Sequence, residues 1–324
     1  MTVSVVIPAW NDAEGVQAVL ETLADVAVVS EVIVVDDCSQ TPLETQLRRT
    51  RSEAAGQSLQ ILRHAENRGG GAARNTGLNA VTQPYVIFLD SDDLPTSEYG
   101  AVLEAFVATP EPFDFAMFRH LDSRELHLGR KSGLPVDERS WDQLPRLDVP
   151  QVMSEHQKCE MAAVSAYPWN KLYRTGFLKE HEILCTEIPV HNDIELHWVS
   201  FLLARRVLYS HHTGITHFVA DHGNRITNRK GAERLRVFEA LDNVSKRIEG
   251  AEITIRMQLS YWRFVNKLMR WIPNNLTQER LQEFHILRRA FVLDRLSPDV
   301  FKRLALNDPH LSTALLDFLE EGEA

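Results

Sequence analysis

The segment YVIFLDSDD (residues 85–93) places three carboxylates at the end of a continuous apolar run. Tyr85, Val86, Ile87 and Phe88 read as a strand buried on both faces, because a strand with one wet face alternates apolar and polar residues. Asp90, Asp92 and Asp93 follow at once. Like charges this close repel, and each prefers water to a protein interior. Either the strand ends in solvent, or a cation completes the cluster. Aspartate before a helix also serves as an N-cap and favours the helix dipole, so the segment alone leaves both readings open.

The surrounding sequence repeats the same design. VSVVIP (3–8), EVIVVDD (31–37), LQILRH (59–64) and FDFAMFR (113–119) read as further strands. Between them lie helical patterns. Val16, Val19, Leu20, Leu23 and Val26 fall on one helical face. Helices are also predicted near 42–55, after the glycine-rich turn of 67–81, and over about 96–108. Strand–helix alternation predicts an α/β fold with a mostly parallel, Rossmann-like sheet covered by helices on both faces. Such sheets bind ligands beyond the carboxyl ends of their strands. The polar punctuation falls at those ends: Pro8-Ala9-Trp10-Asn11, Asp36-Asp37 and Asp90 to Asp93. A site at that sheet edge is therefore expected.

The alternation stops near residue 120. Residues 120–150 are charged and proline-containing and are expected to form a loop or hairpin. A helix is predicted over 151–166, an aromatic and basic segment over 167–178, a helix over 192–204, and strands over 206–211 and 214–220. DHGNRITNRKG (221–231) reads as a polar loop, and helices alone are expected from about 232.

Composition narrows the function. The chain has 324 residues, 44% apolar and 25% charged, with a formal net charge of −10. That charge argues against general nucleic-acid binding, which requires a basic face. Cys38, Cys159 and Cys185 are odd in number, far apart and without a CxxC pair. They read as reduced thiols of a cytoplasmic protein rather than a disulfide frame or zinc site. The first residues read as a strand rather than a signal peptide, and no window is apolar over the length needed to span a bilayer.

The acid clusters suggest the chemistry. Mg²⁺ and Mn²⁺ take hard oxygen ligands and commonly use one or two carboxylates together with substrate phosphates. A cation between the Asp90–Asp93 cluster and a diphosphate would make the crowded charge tolerable. An acid after the second strand, at Asp37, suits a base N–H or a ribose hydroxyl. The first turn, PAWNDAEG (8–15), has no GxGxxG, and no GxxxxGK[ST] occurs anywhere. Both absences argue against a dinucleotide oxidoreductase and a P-loop NTPase. RGGGAARNTG (68–77) fits a tight turn into a helix equally with an anion site using Arg68 and Arg74.

SVVIPAWND (4–12), VIVVDDCS (32–39), NRGGGAARNTGL (67–78) and VIFLDSDD (86–93), in this order and spacing, resemble the family 2 glycosyltransferases of GT-A fold. PWNKLYRTGFL (168–178) resembles a segment of the members that build bacterial polysaccharides. The resemblance covers about residues 1–220. It implies a GT-A nucleotide-sugar-binding and catalytic domain over 1–225, followed by a helical domain over 226–324. It also implies an inverting transfer from a UDP-sugar to a saccharide or lipid-linked acceptor in surface polysaccharide synthesis, with Mn²⁺ or Mg²⁺ as cofactor.

Carried over by position, Pro8, Trp10 and Asn11 match the first motif. Asp37 matches the uracil contact, and Arg74 the arginine near the nucleotide. Asp90 and Asp92 match the DxD motif, with Asp92 the metal ligand and Asp90 its partner. Asp193, in VHNDIELHW (190–198), matches the catalytic base. Asn192 stands where the family has glutamate, so His191 and Glu195 remain alternative bases. Arg225, Arg229 and Lys230 fall where relatives carry a mobile segment over the site.

Two other readings keep their place. One is a nucleotidyltransferase with the same kind of metal–nucleotide site, although PAWNDAEG lacks its basic glycine-rich loop. The other is a degenerate glycosyltransferase-like binding subunit. The stretch IRMQLSYWRFVNKLMRWIP (255–273) reads as a core stripe with a basic edge, or as a helix lying on a membrane surface. Peripheral contact with the inner face of a membrane and homodimerisation are open partner expectations.

Overall fold

A computed structural model of the chain describes residues 1–48, 56–219 and 230–320. The first half alternates as the sequence predicts. Strands β1 (Val3–Ala9), β2 (Val29–Asp36), β3 (Ser58–Arg63) and β4 (Tyr85–Phe88) are separated by helices α1 (Ala13–Leu23) and α2 (Gly69–Ala80). There follow β5 (Leu94–Pro95), α3 (Tyr99–Val107), β6 (Phe115–Asp122), α4 (Ser123–His127), α5 (Pro135–Trp141), β7 (Gln151–Val152) and α6 (Glu155–Ala162). Next come β8 (Lys171–Arg174), α7 (Thr175–Glu180), α8 (Ile194–Leu203) and β9 (Val207–His217). The described chain then continues in helices: α9 (Val237–Glu249), α10 (Ile255–Trp271), α11 (Gln278–Arg295), α12 (Pro298–Asn307) and α13 (Pro309–Glu320).

The strands form one sheet in the order β3-β2-β1-β4-β8-β6-β9-β5, with β7 against β9. β1 to β4 pair in parallel, β8 runs antiparallel to both β4 and β6, and β6 and β9 are parallel. Alternate residues of β1 serve the two faces, as the two-residue strand period demands. Val3, Val5 and Ile7 belong to the core under α1 and α3, with Val16, Leu20, Leu103 and Phe106. Val6 belongs to the opposite core, which takes in Phe88, Phe201 of α8 and, without a break, Leu241, Trp262 and Phe291 of the C-terminal helices.

Several segments differ from expectation. Residues 120–150 are no simple loop, because α4 and α5 form there, α4 capped by Asp122 and α5 begun by Pro135 at its first turn. The two strands expected over 206–220 are one strand, β9, whose pairing with β6 shifts register at Phe118/Arg119 and Arg119/His120. Gly214 reads as a break in sequence. In the fold it marks a close approach: a Cβ there would stand 2.5 Å from the Phe118 ring.

Only a short turn, Leu43–Thr45, represents the helix expected over 42–55, whose remainder lies largely outside the described residues. Arg225 and Arg229 also lie outside them. The basic stretch of 255–273 becomes α10, with Met257, Tyr261, Trp262, Val265 and Met269 buried. Three of its four cations find partners: Arg263 with Asp308, Arg270 with Asp317, and Lys267 with Asp137. Among the described residues no helix is long and apolar enough to cross a membrane.

Candidate active site

The parallel half of the sheet delivers three strand ends to one edge. After β1, Trp10 is 43% exposed and Asn11 adopts a left-handed backbone, φ 53°. Asparagine tolerates that region better than most residues. Asn11 is fixed by its neighbours: its N–H donates to the Ser39 hydroxyl at 2.8 Å, and its side-chain oxygen accepts from the Gln40 N–H at 2.7 Å. The turns after β1 and β2 are thus one hydrogen-bonded unit. Pro8 lies opposite Val35 in the β1–β2 register.

The two aspartates at the end of β2 divide their roles. Asp36 accepts from the Ser39 and Leu43 N–H groups and from Arg63. Burial acts to raise its pKa, but these bonds prevail and hold it below the ordinary carboxylate value. Asp37 accepts from the Arg68 and Gly69 N–H groups at 2.9 and 2.6 Å, and His64 Nδ1 lies 2.7 Å away. Its carboxylate therefore sits at the N-terminus of α2, where backbone donors are otherwise unpaired.

α2 has a second task, which the sequence did not reveal. Two of its glycines permit close approach. A Cβ on Gly71 would stand 2.4 Å from the Thr186 carbonyl oxygen, and one on Gly77 would stand 2.3 Å from Val6. Asn75 donates to and accepts from the Cys185 backbone, and Arg68 pairs with Glu187 at 2.8 Å. The helix is thus docked on the segment leading to Asp193. Arg74, 7% exposed, completes the joint: Nη2 donates to Asp90 at 2.5 Å and Nη1 to the Asn192 side-chain oxygen at 2.6 Å.

Beyond β4, Asp90, Asp92 and Asp93 each offer a carboxylate oxygen within 4.8 Å of the others. Asp93 is buried; it accepts from the Phe218 N–H and lies 2.8 Å from His217 Nδ1. His217 lies 124 residues from Asp93 in the chain, a pairing that no local sequence pattern reveals. Burial acts to lower the His217 pKa, but the Asp93 carboxylate outweighs it and holds the ring above its ordinary value. Trp169 stacks on His217, and Tyr167 stacks on Trp169. The aromatic segment of 167–178 thus supports the back of the acid cluster. The cluster fits a small divalent cation by its donors: several hard carboxylate oxygens converging in a part-buried loop, with mutual repulsion that such a charge relieves.

Asp193 occupies the N-cap position of α8 but makes no side-chain cap hydrogen bond. The carboxylate is not consumed in closing the helix. Burial raises its pKa to about 6, aided by the Asp90 charge and opposed by Arg74 and Lys171. The two alternative bases are otherwise occupied. Glu195 accepts from the Thr186 hydroxyl at 2.6 Å and from Asn243 of α9 at 2.9 Å. His191 is pushed down to about 3 by burial and the neighbouring Arg234, whose Nη1 lies 3.3 Å from its Nε2. Lys171, fully buried between Tyr167 and Asn170, is lowered by burial to about 7.

Residues 4–140 match the family model described as glycosyl transferase family 2, which bears out the resemblance read from the sequence. A pre-mycofactocin glycosyltransferase of Mycobacterium tuberculosis is 32% identical over 167 residues, which is 50% of this chain and 34% of that protein. A putative teichuronic acid biosynthesis glycosyltransferase of Bacillus subtilis, TuaG, is 33% identical over 92 residues, 28% of this chain and 36% of its own. The matches thus span about a third of these relatives.

Among solved structures, S. aureus TarS in complex with UDP-GlcNAc superposes with a TM-score of 0.74 at 19% identity, covering 100% of this chain and 90% of that one. A mannosyltransferase from Pyrobaculum calidifontis, in complex with GDP-Man and Mn²⁺, gives 0.57 at 16% identity, covering 99% and 86%. These likenesses confirm the GT-A-like fold with its helical C-terminal region.

Proposed function

From the family 2 match over residues 4–140 and the acid cluster beyond β4, we propose that the chain is an inverting glycosyltransferase. It moves a sugar from a UDP-sugar to a saccharide or lipid-linked acceptor in surface polysaccharide assembly. Residues 1–225 act as the catalytic domain and 226–324 as a helical domain beside it. Trp10, Asn11 and Asp37 border the nucleotide, and Asp92 with Asp90 would hold Mn²⁺ or Mg²⁺. When bound there, the cation supplies Lewis-acid stabilisation of charge on the departing diphosphate.

The chain's own residues carry the remaining steps. Asp193 accepts the acceptor hydroxyl's proton as that oxygen attacks the anomeric carbon. A base with a pKa near 6 is largely ionised at neutral pH yet retains proton affinity, which is the balance a general base needs. Direct displacement by one nucleophile inverts the anomeric configuration. Asp93, held by His217 and the Phe218 N–H, is less free to reorganise and supports the loop.

The observation that carries this reading is the uncapped Asp193 carboxylate at the start of α8, joined to the acid cluster through Asn192, Arg74 and Asp90. A thermal-shift series with UDP-, GDP- and other nucleotide-sugars, with and without Mn²⁺, tests the donor. A ligand that binds the native state raises the midpoint with its occupancy. A UDP-sugar should give the largest shift, and only with the cation. No shift with any UDP-sugar would sink the donor assignment, and a larger shift with GDP-sugars would transfer it.

A further inference from the structure

Arg74 corresponds by position to an arginine near the nucleotide, yet its guanidinium faces inward. We propose that Arg74 is a positioning residue: by joining Asp90 to Asn192 it fixes the spacing between the acid cluster and the base-bearing start of α8. The inference rests on the proposed roles of that cluster and of Asp193, and it moves Arg74 from the nucleotide to the frame of the site.

Three observations point the same way. Both terminal nitrogens of Arg74 are already engaged, at 2.5 Å to Asp90 and 2.6 Å to Asn192. The side chain is buried, 7% exposed. A planar guanidinium offers two donors at fixed separation, so it transmits the position of one partner to the other. Around this joint α2 is fastened to residues 185–192 by the Asn75–Cys185 pair of bonds and by the Gly71 approach to Thr186.

The joint also accounts for Asn192. A glutamate is usual there in the family, but an amide oxygen is acceptor enough for one guanidinium N–H. With a neutral residue at 192, the Arg74 charge is answered by Asp90 and felt by Asp193, the acids assigned to the chemistry.

Two variants test the joint without deleting the buried cation. Arg74→Lys keeps the charge and replaces the fork with one point of attachment. Asn192→Ala removes the far end alone. Each is examined for UDP affinity with Mn²⁺ by calorimetry, for amide exchange of 88–93 and 185–195, and for UDP release from UDP-GlcNAc. For Asn192→Ala, exchange should rise in both segments together and UDP affinity should stay within about twofold. Release should fall by about a hundredfold, the scale of a 1 Å misplacement at a reacting centre.

Asn192→Asp, which keeps the acceptor, should restore the exchange pattern. Exchange rising in 185–195 alone would overturn the proposal. So would a tenfold loss of UDP affinity in Arg74→Lys with none in Asn192→Ala, the result for a nucleotide-binding arginine. Asp193→Asn, assayed alongside, separates the two ideas. Unchanged release there discards the base assignment, whereas the exchange measurements judge the joint regardless.

Discussion

The Ser91 hydroxyl donates to the Asp12 carboxylate at 2.6 Å, across 79 residues of chain. Ser91 is the middle residue of the acid motif, and Asp12 is the N-cap of α1, whose other oxygen accepts from the Gly15 N–H. The loop of acids is therefore fastened at one end to the first helix of the fold. Gly15 shows how close this fit is: a Cβ there would stand 2.4 Å from the Ser91 carbonyl oxygen.

Asp12→Ala removes a cap and a hydrogen-bond acceptor together. The cap is worth about 1 kcal/mol and the second bond about 1 kcal/mol. Ser91→Ala removes only the second. Urea unfolding should rank the variants as wild type, then Ser91→Ala, then Asp12→Ala. The double mutant should be no less stable than Asp12→Ala by more than a few tenths of a kcal/mol. Full additivity would show that the two residues do not interact.

Asp193 links activity and stability in opposite directions. Its folded-state pKa of about 6 lies above the ordinary 3.8, so the folded protein binds this proton more tightly than the unfolded chain. The associated stability is fully present below about pH 4 and is lost as pH rises through about 6. At pH 7.5, Asp193→Asn should therefore be more stable than wild type, by at most roughly 3 kcal/mol for a two-unit shift. Turnover should fall by about 10² to 10⁴ for loss of a general base. In wild type, kcat/KM should fall tenfold per pH unit below about 6. A variant with normal turnover, or an acid limb unchanged in Asp193→Asn, would exclude this carboxylate as the base.

The glycines of α2 separate packing from helix propensity. Gly71→Ala drives a methyl group against the backbone of Thr186, an obstruction that no side-chain rotation relieves. Overpacking of this kind costs about 1–3 kcal/mol. At Gly70 the added carbon would make only ordinary contacts, with the Arg74 tip at 3.5 Å and the Asn192 side-chain nitrogen at 3.9 Å. Helix propensity then favours alanine by up to about 1 kcal/mol. Thermal unfolding should show Gly71→Ala destabilised and Gly70→Ala unchanged or stabilised. Equal destabilisation of both would point instead to a backbone requirement throughout 69–71.

What the sequence discloses is what has a short period or a strong local chemistry. The β1-to-β4 alternation is readable because buried parallel strands are continuous apolar runs and helices repeat every three to four residues. The crowded acids of 90–93 are readable because charge after such a run is unusual. The joint between Arg74 and Asn192 is not, because its ends are 118 residues apart. Nor is the Asp93–His217 pairing, which depends on where β9 ends beside the loop. Asp193 was legible as an acid at a helix start. That it makes no cap bond, which keeps the carboxylate available, is a property of backbone and side-chain geometry alone. The glycine-rich segment is readable as a turn into a helix, but sequence reports only small residues, and the fold alone shows that Thr186 and Val6 occupy the space beside Gly71 and Gly77.

The acid cluster makes a last prediction that depends on the cation. Without one, Asp90, Asp92 and Asp93 still hold carboxylate oxygens within 4.8 Å of one another, with Arg74 on Asp90 and His217 beside Asp93 offsetting part of the repulsion. Two charges at about 4 Å in a partly hydrated setting repel by a few kcal/mol at most, and water and salt reduce this further. Asp92→Asn should therefore leave the metal-free protein as stable as wild type or more so, by up to about 1 kcal/mol. The same change deletes a ligand for Mn²⁺. The thermal shift from Mn²⁺ with UDP should shrink in this variant, while UDP alone should act equally on both proteins. EDTA should abolish the wild-type shift and leave the variant nearly unaffected. If Asp92→Asn instead destabilised the metal-free protein by more than 1 kcal/mol, its carboxylate would be a structural acceptor. The task of holding a cation would then pass to Asp90 and its neighbours.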